Sequence, residues 1–243
     1  MAKASRYEMA DRGVSETIGF VLIFALIVTT LGIVYTTGMA GLTDARDVER
    51  VNNAERAFDV LADNVETITQ RNAPSRATEV KLADAGLGIE REEKIRVSVG
   101  DEEIDTASGT LIYDPGTGSE VVYGGGAVVR GNQEGSVMSR QPPFVIRDDR
   151  MVIQLIELYG VETTAVSGDR TVLVRAEQTG EMHYSNSHVE EPVEISVETE
   201  HSHAWSNYLE SVGGSCTVGE TIVCEFDIEE LYLTRTDISV RFN

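Results

Sequence analysis

The hydrophobicity pattern is dominated by one segment near the N-terminus that contains no charged residue. Residues 17–43 lack Asp, Glu, Lys and Arg, and residues 18–35 are almost entirely apolar. About 20 such residues suffice to cross the core of a bilayer as a helix, and no proline interrupts the segment. A helix also satisfies its own backbone hydrogen bonds in lipid. The pattern therefore predicts one transmembrane helix over residues 14–40, with the buried core helix of a soluble domain as the alternative.

The charges on either side of this segment predict its orientation. Lys3, Arg6 and Arg12 precede it, whereas residues 44–49 carry three carboxylates and a single arginine. An excess of basic residues on a short flank keeps that flank in the cytoplasm. We therefore expect a cytoplasmic leader at residues 1–13 and a remainder that is exported to the outside of the cell.

A conventional secretory signal, removed after the apolar segment, is the alternative to a retained helix. The small residues Gly38 and Ala40 have the spacing that signal peptidase requires. However, the apolar segment is longer than the roughly 7–15 residues that are usual in a removed signal. The helical pattern also continues through the supposed cut, so we favour a helix that is retained.

An amphipathic pattern follows the apolar segment. Pro74 disfavours helical backbone at residue 73, so the pattern predicts an amphipathic stalk helix over residues 41–73. It would be continuous with the transmembrane helix from an N-cap at Ser15. The apolar face packs either against the exported domain or against the helices of neighbouring copies, and the two arrangements are compatible. Its residues recur at steps of three and four, as on one face of a helix: Val51, Ala54, Phe58, Leu61, Val65 and Ile68.

Short β-rich stretches bounded by glycine occupy the rest of the chain, residues 78–243. Apolar and polar residues alternate within them, as in half-buried strands. One short helix is predicted at residues 202–212, with Ser202 as its N-cap and Trp205 in the core. The fold class is therefore α+β, a long N-terminal helix followed by an antiparallel β-rich domain. The predicted strands cover residues 79–82, 95–99, 110–113, 120–123, 127–130, 151–158, 171–176, 193–199, 220–226 and 237–242.

Acidic residues dominate the exported part of the chain. Residues 41–243 carry 17 Lys and Arg against 38 Asp and Glu, a net charge of −21. Such a surface repels nucleic acids, so no nucleic-acid partner is expected. The chain has only three lysines beside 17 arginines, and this composition resembles that of exported proteins of salt-loving archaea. An acidic surface without salt adaptation is the alternative.

The two cysteines of the chain, Cys216 and Cys224, are separated by a turn-prone stretch at residues 218–220. They could therefore face each other across a hairpin. Outside the cell an even number of cysteines favours a disulfide. A metal site would need two further ligands, and the CxxC spacing is absent. We therefore predict a disulfide between Cys216 and Cys224.

Signatures of catalysis and of metal binding are missing from the sequence. The histidines His183, His188, His201 and His203 form two clusters, but polar surface positions explain them more simply than a metal site does. The glycine run at residues 124–126 lacks the Lys-Ser/Thr ending of a phosphate-binding loop and is predicted to be a turn. The sequence thus predicts no enzyme, no cofactor and no bound metal.

The residues directly before the apolar helix carry a family resemblance. The stretch RGVSETIG at residues 12–19, followed by an uninterrupted apolar helix, resembles the class III signal of archaeal type IV pilin-like proteins. The resemblance implies that a prepilin peptidase cuts between Gly13 and Val14 on the cytoplasmic side and leaves the helix on the product. It also implies that Glu16 pairs with the N-terminal amine of a neighbouring subunit. Solvation of Glu16 at the headgroups, favoured by the helix N-terminus, is the alternative.

These features together predict a pilin-like surface protein, a subunit or minor component of a cell-surface filament or related assembly. An apolar helix can leave lipid only where other apolar helices replace the lipid around it. The expected partners are the prepilin peptidase, the lipid bilayer, and copies of itself or other pilin-like subunits. A permanently membrane-anchored extracellular binding domain that does not assemble is the alternative, followed by an ectoenzyme.

Overall fold

The computed structural model describes the backbone of residues 5–71, 73–132, 135–161 and 163–243. The side chains of the same residues are described except for those of residues 5–16, 91–92 and 107–108. The chain divides into two compact units, residues 1–48 and residues 49–243.

Two helices and fourteen strands make up the regular structure of the described residues. Helix α1 spans Ser5–Arg71 and helix α2 spans Ser202–Ser211. The predicted α+β class, a long N-terminal helix followed by a β-rich domain, is confirmed. The strands are β1 (Ser75–Lys81), β2 (Gly86–Val99), β3 (Glu102–Asp114), β4 (Ser119–Gly124), β5 (Ala127–Asn132), β6 (Gly135–Arg140), β7 (Phe144–Arg147), β8 (Arg150–Gly160), β9 (Ala165–Ser167), β10 (Thr171–Asn186), β11 (Val193–Glu198), β12 (Ser215–Val218), β13 (Ile222–Phe226) and β14 (Glu230–Phe242).

The strands form two sheets. The smaller sheet has five strands in the order β1-β10-β14-β8-β7. The larger sheet has the order β12-β13-β11-β2-β3-β4-β5-β6, and β9 pairs with β2 beside it. Strands β8 and β14 pair parallel to each other, whereas the neighbouring pair β10 and β14 is antiparallel. The domain is therefore mostly antiparallel rather than entirely so, because the long connection from β8 to β14, which includes α2, allows a parallel crossover.

Two clusters of buried apolar side chains form the interior of residues 49–243. The first cluster joins the apolar face of α1, from Val51 to Ile68, to both sheets. The second cluster lies around α2 and includes residues of both sheets. Strand β8 contributes Ile153 to the second cluster and Leu158 to the first, because alternate side chains of a strand point to opposite faces. Helix residues 51–68 are therefore part of the core of the β-rich unit.

Each predicted strand stretch falls on a strand of the structure and exceeds it by one or two residues at three ends, whereas β2, β3, β10 and β14 extend seven to ten residues beyond the predicted stretches. The sequence missed β6, β7, β9 and β12. Three of these strands are edges of a sheet and β9 pairs with β2 alone. Such short strands of three to six residues are held by one neighbour, so their own residues need not alternate clearly.

Two predicted helix caps are wrong. Ser15 lies inside helix α1, whose described span is Ser5–Arg71, because residues 5–14 include helix formers such as alanine, methionine and arginine. Helix α2 begins at Ser202, and the residue that flanks it is His201, without a side-chain capping bond. The His201 carbonyl accepts the backbone N–H groups of Ala204 and Trp205 at 3.0 and 3.3 Å. Trp205 itself is fully buried, as predicted.

Candidate functional site

The apolar segment of α1 is the most unusual surface of the molecule. Its large apolar side chains between Ile18 and Leu42 have exposed fractions of 48% to 70%. One helix in the described part of the chain is long and apolar enough to cross a membrane, with a mean hydropathy of 2.6 in its most apolar stretch. A contiguous apolar surface of this kind marks contact with lipid or with other proteins.

The hydroxyl groups of Thr30 and Thr36 in this segment are satisfied within the helix. Thr30 donates to the carbonyl of Leu26 at 2.9 Å. Thr36 donates to that of Gly32 at 3.0 Å. Transfer of an unpaired hydroxyl group from water to an apolar medium costs several kcal/mol, roughly 4–8 kcal/mol when the medium is cyclohexane. Lipid or an apolar neighbour therefore tolerates these two threonine side chains.

The residues of the predicted processing motif lie at the edge of what the structure describes. Gly13, Val14 and Glu16 belong to the backbone of α1, but their side chains lie outside the described residues. Cleavage between Gly13 and Val14, and the pairing of Glu16 with a neighbouring N-terminus, therefore stay predictions.

The amphipathic part of α1 packs within the β-rich unit. Arg130 of β5 reaches the helix side chains Asn52 at 3.1 Å and Glu55 at 3.6 Å. Arg140, the last residue of β6, contacts Asp63 at 2.7 Å and Glu66 at 2.8 Å. The flank of the helix is thus tied to the larger sheet by ion pairs. The six predicted stripe residues are each at most 2% exposed: Val51, Ala54, Phe58, Leu61, Val65 and Ile68.

Cys216 and Cys224 form a disulfide. They are direct cross-strand partners of β12 and β13, with their Cα atoms 4.1 Å apart. Cys224 is fully buried and belongs to the second cluster. The bond therefore fixes the edge strand β12 to β13, which contributes Cys224 to the core.

Glu93 of β2 is a buried acid that the sequence analysis missed. Its Oε2 accepts a hydrogen bond from Nε1 of Trp205 at 2.9 Å, and its Oε1 has no partner among the described residues. Burial raises the pKa of Glu93 to about 7, because the charged form loses its solvation by water. A Cβ atom on Gly124 would lie only 2.7 Å from Oε1, so the glycine run packs directly on this carboxyl group.

The glycine run also forms the predicted turn. Gly124 pairs with Ala127 across β4 and β5. The two residues between them, Gly125 and Gly126, have φ values of +55° and +89°. A two-residue hairpin loop with positive φ at both positions strongly favours glycine. The turn therefore explains why glycines stand at these positions, and the run is not arranged as a phosphate-binding loop.

The histidines do not converge. His183 and His188 are exposed, as expected for surface residues. His201 differs, because its side chain is only 12% exposed and lies 3.6 Å from Glu120. Burial lowers the pKa of His201, which favours the neutral ring. Among the described residues, no group of three His, Cys, Asp or Glu could hold a metal ion.

The profile of a family of unknown function, DUF7289, matches residues 12–241. The chain belongs to the DUF7289 family. The DUF7289 match begins directly before Gly13 and Val14 and includes the apolar segment of α1 together with both sheets. The apolar helix is thus part of the family rather than an unrelated extension. No curated protein and no solved structure matches the chain.

The buried acid of this DUF7289 protein had a weak signal in its sequence. Glu93 stands two residues before Ile95 and four before Val97, which both face the second cluster. Since side chains at this spacing share one face of a strand, the alternation already placed the carboxyl group inside. Glutamate is rarely buried without a partner. For that reason the alternation alone did not suggest that Glu93 is buried.

Proposed function

We propose that this protein is a type IV pilin-like surface protein, a subunit or minor component of a cell-surface filament or related assembly. The observation that carries the proposal is the charge-free segment of α1, whose large apolar side chains from Ile18 to Leu42 are exposed. Directly before it stands the stretch RGVSETIG at residues 12–19, which resembles a class III signal. The two features together support a helix that is inserted, processed and kept.

The proposed topology places the N-terminus in the cytoplasm and residues 49–243 outside the cell. Lys3, Arg6 and Arg12 support this orientation, because basic residues on a short flank are retained inside. The disulfide between Cys216 and Cys224 supports it as well, since disulfides persist in oxidising surroundings.

Processing would convert the membrane helix into an assembly element. A prepilin peptidase would cut between Gly13 and Val14 and leave Val14 as the new N-terminus. Glu16 would then form an ion pair with the N-terminal amine of a neighbouring subunit. Such a pair lowers the free-energy cost of a carboxylate near the apolar region. Copies of the chain, or other pilin-like subunits, would replace the lipid around residues 18–42, because close packing between helices compensates for lost lipid contacts.

A haloarchaeal source is part of the proposal. The net charge of −21 and the three lysines beside 17 arginines support it, because concentrated salt screens the mutual repulsion of surface carboxylates.

A permanently anchored extracellular binding domain is the second candidate. Its support is that residues 49–243 form a compact unit with its own two clusters of buried side chains. Such a unit does not need assembly in order to fold, and the apolar helix alone would hold it at the membrane.

Intact-mass measurement of the protein from native membranes tests the processing. We expect a mass that lacks residues 1–13. The variant Gly13→Asp should keep the full mass. Ala10→Asp adds the same charge three residues earlier and leaves the cleavage pair intact, so it should be processed like the wild type. Full-length wild-type protein would contradict the proposed cleavage.

Mechanical shearing of cells separates the two candidate functions. A filament component appears in the sheared, high-molecular-weight surface fraction, and Gly13→Asp should remove it from there. An anchored domain stays with the membranes in both the wild type and the variant. Retention of correctly cleaved wild-type protein in the membrane fraction would favour the second candidate.

A further inference from the structure

A pocket of about 540 Å³ opens in the unit of residues 49–243. Its walls come from the C-terminal part of α1, from the connection between β6 and β7, and from β8. This volume is that of a small-molecule site, which typically has several hundred Å³. Among the described residues that line it, none belongs to the predicted apolar stripe of α1 or to the disulfide.

Three glutamines converge on this pocket. Gln70 belongs to α1, Gln141 follows β6, and Gln154 lies on β8. The whole chain has only five glutamines beside 41 acidic residues, and three of the five line this one pocket. No hydrogen bond within the described part of the chain involves any of the three side-chain amides. They are therefore free to bind a ligand.

The charged side chains that line the pocket balance each other although the protein is strongly acidic. Among the described residues that line it, the charged ones are Glu66 and Arg140. They form an ion pair of 2.8 Å, and Arg140 also contacts Asp63 at 2.7 Å. Since Arg140 is already paired with two carboxylates, an anionic ligand would find no free positive charge here, and a cationic ligand would find no unpaired carboxylate among the described lining residues. Charge complementarity thus favours a neutral ligand.

The remaining wall is mostly apolar. Pro142, Pro143, Val145 and Val152 line it. Val145 and Val152 are direct partners across β7 and β8 and are exposed by 50% and 40%. Such a surface packs against C–H groups, whereas each amide offers one acceptor oxygen and two donor hydrogens. A hydroxyl group both donates and accepts, so a ring with many hydroxyls and apolar C–H faces matches both parts of the pocket.

We propose that this pocket binds a neutral sugar, with Gln70, Gln141 and Gln154 hydrogen-bonding its hydroxyl groups. The prolines and valines contact the C–H faces of the sugar ring. The site does not depend on filament assembly, and it serves an assembled subunit and an anchored domain equally. Its function would be attachment of the protein to neutral sugars at a surface.

Saturation-transfer NMR on the full chain tests the proposal. The protein is held in micelles of lauryldimethylamine oxide, because common glycoside detergents would themselves occupy a sugar site. The probes are glucose, galactose, mannose and maltose, with glucuronate and glucosamine as charged comparators. We expect transfer to at least one neutral sugar and weaker transfer to the charged ones.

Two variants locate the site. Gln154→Glu and Gln70→Glu keep the side-chain size but replace the amide donor with a negative charge, and each should weaken binding about 3- to 10-fold, as the loss of one hydrogen bond does. Gln178→Glu makes the same change at a glutamine that does not line the pocket and should bind like the wild type. Near-ultraviolet circular dichroism of Trp205 confirms that each variant is folded.

Several results would overturn the proposal. One is the absence of transfer to all four neutral sugars at concentrations in the tens of millimolar. Another is unchanged binding in both Gln154→Glu and Gln70→Glu, and a third is stronger binding of a charged comparator. If the two variants instead abolish self-association of the wild type without any sugar signal, the pocket receives a second copy of the chain and not a sugar.

Discussion

Glu93 and Trp205 are joined by a buried hydrogen bond of 2.9 Å from the indole Nε1 to the carboxyl Oε2. They belong to different elements, β2 and α2, and lie 112 residues apart in the chain. The bond holds α2 over the larger sheet, and the burial of Glu93 couples this contact to pH.

The folding stability should fall as the pH rises through the range from about 4.5 to 7. The folded protein keeps the Glu93 proton up to about pH 7, whereas an unfolded glutamate loses it near its usual pKa of 4.5. The folded state therefore binds more protons in this window. At pH 7.5 the free energy of unfolding is lower by about 3 kcal/mol than it is below pH 4.5. Glu93→Gln removes this contribution and keeps an acceptor for Trp205. Denaturant unfolding at several pH values should show the gap between variant and wild type widening with pH, and a constant gap would contradict the assignment.

Packing of α1 against the sheets should dominate the stability of the β-rich unit. Phe58 is fully buried in the first cluster, so Phe58→Ala should lower the free energy of unfolding by about 3–5 kcal/mol. Val60 on the same helix is 51% exposed, and Val60→Ala should change it by at most about 0.5 kcal/mol. Denaturant titration followed by Trp205 fluorescence measures both, and equal effects would argue against this packing.

The glycine turn next to Glu93 should tolerate no side chain. A Cβ atom on Gly125 would collide with Cδ1 of Ile95 and lie 3.0 Å from Oε1 of Glu93, whereas one on Gly116 would meet nothing within 4 Å. Both residues have positive φ, so both alanine variants lose about 1–2 kcal/mol from backbone strain. Gly125→Ala should lose a further amount of about 1–3 kcal/mol from the collision. Thermal unfolding of the two variants checks the difference.

The disulfide should stabilise the edge hairpin moderately. Replacing Cys216 and Cys224 together by alanine should lower the free energy of unfolding by about 2–3 kcal/mol, the value for so short a loop. A reductant should produce a similar loss in the wild type and none in the double variant. Sensitivity of the double variant to reductant would show that the reductant acts elsewhere.

Salt should stabilise the folded protein. The net charge is −21, and the acidic groups repel one another most strongly at low ionic strength. The screening length falls from about 10 Å at 0.1 M salt to about 3 Å at 1 M. The urea concentration at the unfolding midpoint should therefore rise with potassium chloride concentration. A midpoint that does not depend on salt would favour an acidic surface without salt adaptation.

The sequence alone determined the features that depend on neighbouring residues. The charge-free stretch from Thr17 to Thr43, the stripe from Val51 to Ile68 and the alternation in β2 and β11 are all patterns of local spacing. Helix and strand periodicities follow from backbone geometry, so such patterns identify elements and their buried faces. The pairing of Cys216 with Cys224 was accessible for the same reason, since both lie in one hairpin.

Only the tertiary structure decided what depends on contacts between distant parts of the chain. Parallel pairing of β8 and β14, the bond of Glu93 to Trp205, and the meeting of Gln70 with Gln141 and Gln154 all bring together residues far apart in sequence. Local periodicity does not specify these contacts, because they depend on sheet order and on the entropy of closing long loops. The pairing register of β2 shifts between Glu90 and Glu93. Before the shift Leu87 packs in the first cluster, and after it Ile95 packs in the second. No pattern of hydrophobic residues marks that position.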